Sequence, residues 1–314
     1  MRKKRKKKTK LTAGQKALVI LLMAAAFIAG ALCTLHFTGI LTFGDILVKL
    51  GRKDKPAVDP GTHVHFIDVG QGDATLVISE GEVMLIDAGD TDKGDEVTAY
   101  LKDQGVSRID YLIITHPHAD HMGGAPEVID SFEIGKLIMP EVPEEYQPTT
   151  VSYEKLLDAV ERNGLKITLA RDSEFMLGEC EVSVYASRIV SEELNDYSVV
   201  VRLEHGKNSF LFMGDCEEAG EKELIKRGVT LRSKVLKVGH HGSSSSSSAD
   251  FLNKVKPRYA VISCGKDNDY GHPSEKIVTR LGKYADKTYI TSRCGTVVFS
   301  SDGEGLSVKT ERGG

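Results

Sequence analysis

The chain is short of the residues that mark several common chemistries. Its five cysteines, Cys33, Cys180, Cys216, Cys264 and Cys294, include no CxxC pair, which argues against a thiolate zinc site. Buried free thiols are the plainer reading, although an extracytoplasmic location would permit disulfides. Tryptophan is absent and carries no functional message. No short-period repeat is evident. Positive charge is scarce outside the first ten residues, MRKKRKKKTK, which hold eight basic residues and no acid; the other 304 residues keep 33 basic against 45 acidic, a net of −12. A body this acidic has no general electrostatic footprint for nucleic acid, which is gripped mainly through Lys and Arg at phosphates. A local basic groove stays open. Histidine is scarce too, at ten in 314 residues.

Other features are present in quantity. An apolar content of 40% with 27% charged residues is ordinary for a globular chain and sufficient for a real core. After the basic tail (1–16), residues 17–41 run ALVILLMAAAFIAGALCTLHFTGIL, with His36 the one strongly polar member. That length crosses a hydrocarbon core as a helix. The positive-inside rule keeps the tail cytoplasmic and the body outside. A cleaved signal peptide is the rival reading, but the stretch exceeds the usual signal core. Residues 42–62, rich in Gly, Pro and charge, read as a linker.

From His63 to the C-terminus, strand and helix signals interleave. HVHFIDV, DATLVIS and EVMLID are short strands, EVTAYLKDQG a helix, and DYLIIT a strand covered on both faces. VSYEKLLDAVERNG and EEAGEKELIKRG are helices, and SVVVRLE with SFLFMGD flanks a hairpin turn at HGKN. Such mixed α/β (α+β) order predicts two face-to-face sheets with helices outside, in one domain over 63–314. The tract Ser243 to Ser248 reads as a flexible loop tip, or else as a rim beside the paired histidines before it.

Three of the ten histidines fall in THPHADHMGG, residues 115–124, directly after DYLII. Imidazole and carboxylate are the usual ligands of Zn²⁺ and related ions. In extended chain His116 and His118 share a side and can converge on one ion. Asp120 and His121, past a bend, can address a second. A helix face would not bring 116 and 118 together. Gly123 and Gly124 let backbone pass close by.

HPHADH fits the HxHxDH signature of the metallo-β-lactamase fold, an αββα sandwich whose members hydrolyse with one or two metal ions. FIDVGQGDATLV, LIDAG, THPHADHMGG, FLFMGD, LKVGHHGS and YGHPS follow in the order seen in the hydrolase domain of ComEC-type competence proteins, which this body (about 63–310) resembles. The resemblance implies that His116 and His118 serve a first ion, Asp120 and His121 a second, and Asp215 bridges both. His241 or His240 would complete the second site, the other facing substrate or supporting a ligand. His272 would contact substrate or protonate the leaving group, and Asp120 belongs to the catalytic set. Asp68, Asp73 and Asp87 would orient ligand imidazoles from behind. Many fold members place a further histidine between the cluster and the bridging Asp. Here ELNDYSVV has none; His205 is a poor substitute, and Asn195, Asp196 or Ser198 would stand in, leaving the first ion weakly held.

Paired divalent ions, Zn²⁺ foremost or Mn²⁺, would lower the pKa of bound water toward about 7 and deliver hydroxide to a phosphodiester. DNA and a cell-envelope phosphodiester both suit this reading: the resemblance favours DNA, the acidic body and the membrane anchor the envelope. One span cannot form the channel that ComEC carries. β-Lactam hydrolysis ranks lower, because the motif order matches another branch. A catalytically idle module tethered to a membrane partner is the alternative, supported by the missing histidine and opposed by retention of the rest.

Overall fold

Strand and helix signals alternate because each sheet has two faces to cover. The computed structural model describes residues 60–313; the basic tail, the apolar span and nearly all of the linker predicted above lie outside them. Among the described residues no helix is long and apolar enough to cross a membrane. The described residues form one compact unit.

The first sheet is built mainly from the N-terminal half. It comprises β1 (Thr62–Phe66), β2 (Thr75–Ser79), β3 (Glu82–Ile86), β4 (Arg108–Ile113), β5 (Glu133–Met139) and β6 (Ile167–Leu169), with β14 (Val297–Ser301) and β15 (Leu306–Thr310) returning to it in the order β15-β14-β1-β2-β3-β4-β5-β6. The second holds β7 (Ser173–Leu177), β8 (Cys180–Tyr185), β9 (Val200–His205), β10 (Asn208–Phe212), β11 (Val235–Lys237), β12 (Tyr259–Ile262) and β13 (Lys287–Ile290), ordered β13-β12-β11-β10-β9-β8-β7. The HGKN hairpin pairs His205 with Asn208 across Gly206 and Lys207. Strand β7 escaped the sequence reading because SEFML is half polar and lies at a sheet edge.

Alternation sets the layers. Val64, Phe66, Met84 and Ile86 face Val182, Val201, Phe210 and Phe212 between the sheets. Val83 and Leu85 point the other way, onto helices α1 (Gly94–Asp103), α3 (Ala125–Ser131) and α4 (Val151–Arg162). Leu211, Leu236 and Ile262 likewise meet α5 (Glu218–Arg227), α6 (Ala249–Val255) and α7 (Glu275–Leu281). The result is helices outside two stacked sheets, as the mixed pattern predicted. The four described cysteines are buried and free.

Strands β3 to β6 run parallel, as do β10 to β13. Their carboxyl ends are where α/β sheets place sites. Asp87 follows β3, His116 follows β4, Asp215 follows β10, and His240 and His241 follow β11.

The serine tract is a correction. Ser246 and Ser247 are buried, Ser246 Oγ donates to the Gly239 carbonyl (2.7 Å), and Ser248 Oγ caps α6 by accepting from Phe251 N–H. Backbone N–H groups of Ser247 and Ser248 both donate to the Glu221 carboxylate. Repeated serine here satisfies buried polar groups, so it is no loose tip.

Candidate metal centre

Backbone contacts lock the cluster before any ligand atom is considered. Thr115 donates twice to Asp87, from N–H (2.8 Å) and Oγ1 (2.7 Å). The short helix α2 (Ala119–Met122) is held from two sides: Asp73 N–H donates to Asp120 O, and Ala88 N–H to His121 O. At Gly72 (φ +134°) a Cβ would lie 2.4 Å from Asp120 O, and at Gly124 one would lie 2.3 Å from Ala88 O. Glycine at these positions is a condition of the approach.

Asp120, His121, Asp215 and His241 place one ligand atom each within 4.8 Å of all the others. His121 Nε2 lies 3.2 Å from Asp215 Oδ1, and His241 Nε2 lies 3.0 Å from Asp120 Oδ2. The hydrogens settle what these nitrogens present. His241 Nδ1 is 2.9 Å from the Ser263 carbonyl, which only accepts, so Nδ1 carries the proton. His121 Nδ1 donates likewise to Asp87 Oδ2 at 2.8 Å. In its neutral form each ring therefore turns a bare Nε2 lone pair toward the other, 3.3 Å apart, between two carboxylates. Asp215 Oδ1 is buried with no hydrogen-bond donor. Two carboxylates and two imidazole Nε2 atoms, the Nδ1 protons being committed elsewhere, converge as a donor set that fits a divalent cation.

The electrostatics agree. Burial opposes a charged ring at His121, but Asp215, Asp87 and Asp120 outweigh it and hold its pKa well above the usual value. At His241 burial is likewise overcome, by Asp215 and Asp73. A field that strongly favours a proton at these nitrogens favours a metal ion there as well. Asp215, against its burial, is held well below the usual carboxylate range by His121 and His241.

A second, looser set abuts the first. Thr115 Oγ1, its hydrogen committed to Asp87, accepts from His116 Nδ1 (3.1 Å). His116 Nε2 then faces His118 Nδ1 at 3.0 Å and Asp215 Oδ2 at 3.8 Å. Burial and the neighbouring His121 keep His116 well below its ordinary pKa, hence neutral. Where a middle histidine would stand, Ser198 Oγ accepts from Asp215 N–H (3.2 Å) and Asn195 sits by His118 and His240, its Oδ1 buried without a donor. His205 is remote, bonded to Ser301.

The two histidines of GHHGS have separate surroundings. His240 and His241 both adopt left-handed backbone (φ +46° and +50°), a costly conformation that turns successive rings to different sides. His241 enters the tight group. His240 turns Nδ1 to Glu217 (2.8 Å), and its Nε2 stands 3.7 Å from Asp215 Oδ2. His272 covers both, with ring centroids 5.3 Å from His240 and 6.3 Å from His241.

Of the residues expected behind the ligands, Asp87 and Asp73 touch them: Asp73 Oδ1 is 3.3 Å from His241 Nδ1. Asp68 does not. It pairs with Arg312 at 2.5 Å and accepts from Gly70 N–H, because the chain turns away there before Gly72 brings it back. Three contributors escaped the sequence reading. Thr115 relays His116 to Asp87, Glu217 orients His240, and the buried Lys237 salt-bridges Asp73 (2.7 Å). Lys237 did leave a signal, since a lysine inside the apolar strand VLKV requires a buried partner.

Comparison with known proteins agrees with the fold. The chain is 29% identical over 271 residues to ComE operon protein 3 of Bacillus subtilis (strain 168), covering 78% of this chain and 34% of that protein. It is 32% identical over 251 residues to competence protein ComA of Neisseria gonorrhoeae (78% and 33%) and 30% identical over 259 residues to recombination protein 2 of Haemophilus influenzae (81% and 30%). These relatives are ComEC-type competence proteins, and the chain spans about a third of their length. Among solved structures, the metallo-beta-lactamase fold protein YhfI from Bacillus subtilis aligns with a TM-score of 0.50 at 10% identity, covering 79% of this chain and all of that one. A CmlA beta-hydroxylase mutant also aligns at 0.50, with 14% identity and 86% and 62% coverage. The family model for the metallo-beta-lactamase superfamily matches residues 67–266, and the chain belongs to that superfamily.

Proposed function

We propose that the chain is a metal-dependent hydrolase of phosphodiesters, either nucleic acid or a cell-envelope polymer, with its catalytic body held outside the membrane by residues 17–41. The carrying observation is the pair of abutting donor sets that share Asp215, whose Oδ1 is buried and lacks a donor. Divalent ions held there, Zn²⁺ foremost and Mn²⁺ the other candidate, would supply Lewis acidity and lower the pKa of bound water.

The chain's own groups perform the rest. Asp87 and Ser263 fix the Nδ1 protons of His121 and His241, so both rings present Nε2 without reorganisation. Asp120 is held below the usual carboxylate range, against its burial, by His121 and His241, and stays ionised at neutral pH. His240 and His272 stand at the mouth, where ring N–H groups meet a phosphoryl oxygen. No thiol nucleophile is called for, since the described cysteines are all buried.

The looser first set favours a second reading, an idle module that binds without turnover. Metal analysis of the purified protein with hydrolysis of bis-p-nitrophenyl phosphate separates the two. Bound metal and turnover, both lost in Asp120→Ala, are expected; protein that holds no metal and hydrolyses nothing supports the idle module instead.

A further inference from the structure

Six large apolar side chains stand exposed among the described residues, and they are not scattered evenly. Leu157 (36%) and Leu169 (44%) line one groove of about 670 Å³, and Val151 (67%) begins the helix, α4, that carries Leu157. Met139, Tyr153 and Ile167 add to the lining. Exposed apolar side chains gathered in one concave patch mark a binding surface.

The sheet topology sets this groove beside the metal centre. Strands β5 and β6 follow β4 in the sheet and run parallel to it. Their carboxyl ends bring Met139, Pro140 and Leu169 to the rim where β4 leads into His116 and His118. Pro117, between those two histidines, is itself part of the groove wall. A group seated here neighbours the looser donor set.

The charge of the lining narrows the occupant. No Lys, Arg or His borders the groove, and its two charged residues are carboxylates, Glu141 and Glu144. Glu141 is held by Arg171 at 2.6 Å. Glu144 is exposed and makes no ion pair among the described residues. A polyanionic chain would press its next phosphate against these carboxylates. A bulky apolar group of positive charge suits both features, with its methyl groups against Leu157 and Leu169 and its charge near Glu144 and the Tyr153 ring. Aromatic faces attract such cations, quaternary ammonium among them.

We propose that this groove is a subsite for a quaternary ammonium alcohol, of the choline type, esterified to the phosphate that the metal centre hydrolyses. The site rests on the hydrolase reading and deepens it by naming one half of the diester. Water adds its hydroxyl to phosphorus, the bond to the other alcohol breaks, and that oxygen takes the remaining proton. Phosphocholine leaves.

The test uses the full-length protein and two chromogenic diesters, p-nitrophenyl phosphocholine and its uncharged isostere, p-nitrophenyl 3,3-dimethylbutyl phosphate. Wild type should turn over the charged ester with a KM about three- to tenfold lower. Glu144→Gln should remove that preference by raising KM for the charged ester alone, with kcat unchanged. Tyr153→Leu should do the same and Tyr153→Phe little. The control Glu161→Gln, on an exposed carboxylate of α4 outside the groove, should behave like wild type. Saturation-transfer NMR on the trimethylammonium protons of phosphocholine reads binding without turnover, and that contact should fade in Glu144→Gln and Tyr153→Leu. Equal KM for the two esters, with Glu144→Gln silent on both, overturns the subsite while leaving the hydrolase reading intact. Contact by NMR with neither ester nor bis-p-nitrophenyl phosphate hydrolysed sinks the hydrolase reading and leaves the groove standing. Phosphatidylcholine vesicles and a phosphocholine-bearing polysaccharide are then assayed for soluble phosphocholine. Release from one supports the subsite and names the source, and release from neither overturns its place in the reaction.

Discussion

Lys237 Nζ lies 2.7 Å from Asp73 Oδ2 beneath the metal centre, with side chains 2% and 5% exposed. Burial alone would raise the Asp73 pKa; Lys237 and His241 outweigh it and bring the carboxyl down to about 2. The pair therefore places a fixed negative charge behind His241. Lys237→Met leaves that charge buried and uncompensated, at a cost of about 3–5 kcal/mol. Calorimetry should record this loss, and Lys237→Met/Asp73→Asn should recover much of it. Zinc affinity of Asp73→Asn, which removes the carboxylate behind His241, should fall about 10–100-fold by titration calorimetry. A single variant as stable and as tight as wild type would contradict the arrangement.

Asp120, Asp215 and two lone-pair nitrogens crowded together cost free energy when no cation lies between them. Metal that binds only the folded state stabilises it by about 2.7 kcal/mol at a hundredfold excess over Kd. For a body of this size that is roughly 5–10 °C in melting temperature. Chelation should lower the melting point by that amount and added Zn²⁺ restore it. In Asp215→Asn, which weakens both donor sets, the shift should vanish. If Asp215→Asn responds to chelator like wild type, the ligands lie elsewhere.

What could be read in the sequence follows how local each feature is. His116, His118, Asp120 and His121 sit within six residues at a strand end, so their spacing alone suggested convergence. Asp215 and the GHHGS pair entered through resemblance, because nothing local connects position 215 to 116. Spacing could not divide His240 from His241: the division is made by two consecutive left-handed residues, which no side-chain pattern encodes. Asp68 and Asp73 look alike in FIDVGQGD, yet the glycines between them turn one toward Arg312 and the other toward His241. Apolar periodicity found most strands and helices but passed over Lys237, whose carboxylate partner is 164 positions away.

Glu221, on α5, takes both backbone N–H groups of Ser247 and Ser248 at a buried position. Burial pushes its pKa up, and the two N–H groups pull against that. Glu221→Ala strands two buried donors, at about 1–3 kcal/mol each, while Glu221→Gln keeps an acceptor and should cost less. Amide exchange across 243–248 should speed up in the alanine variant well before α5 itself opens. Unchanged protection in that stretch would return the tract to the status of a loose loop.

His65 couples stability to pH away from the metal centre. Burial, followed by the neighbouring His63, lowers its pKa from 6.5 to about 4. Its Nδ1 is hydrogen-bonded to Tyr100 Oη at 2.8 Å. Between those two values the unfolded chain takes up a proton that the folded ring refuses, so folding loses stability as pH falls through the window. The full loss is roughly 3 kcal/mol, and below pH 4 the folded ring charges too and the loss levels off. In His65→Phe the broken Tyr100 contact is a cost independent of pH. The stability gap between wild type and variant, measured by urea unfolding, should therefore narrow by about that amount from pH 7 to pH 4. A gap that stays constant across the window would mean that the ring titrates alike in both states.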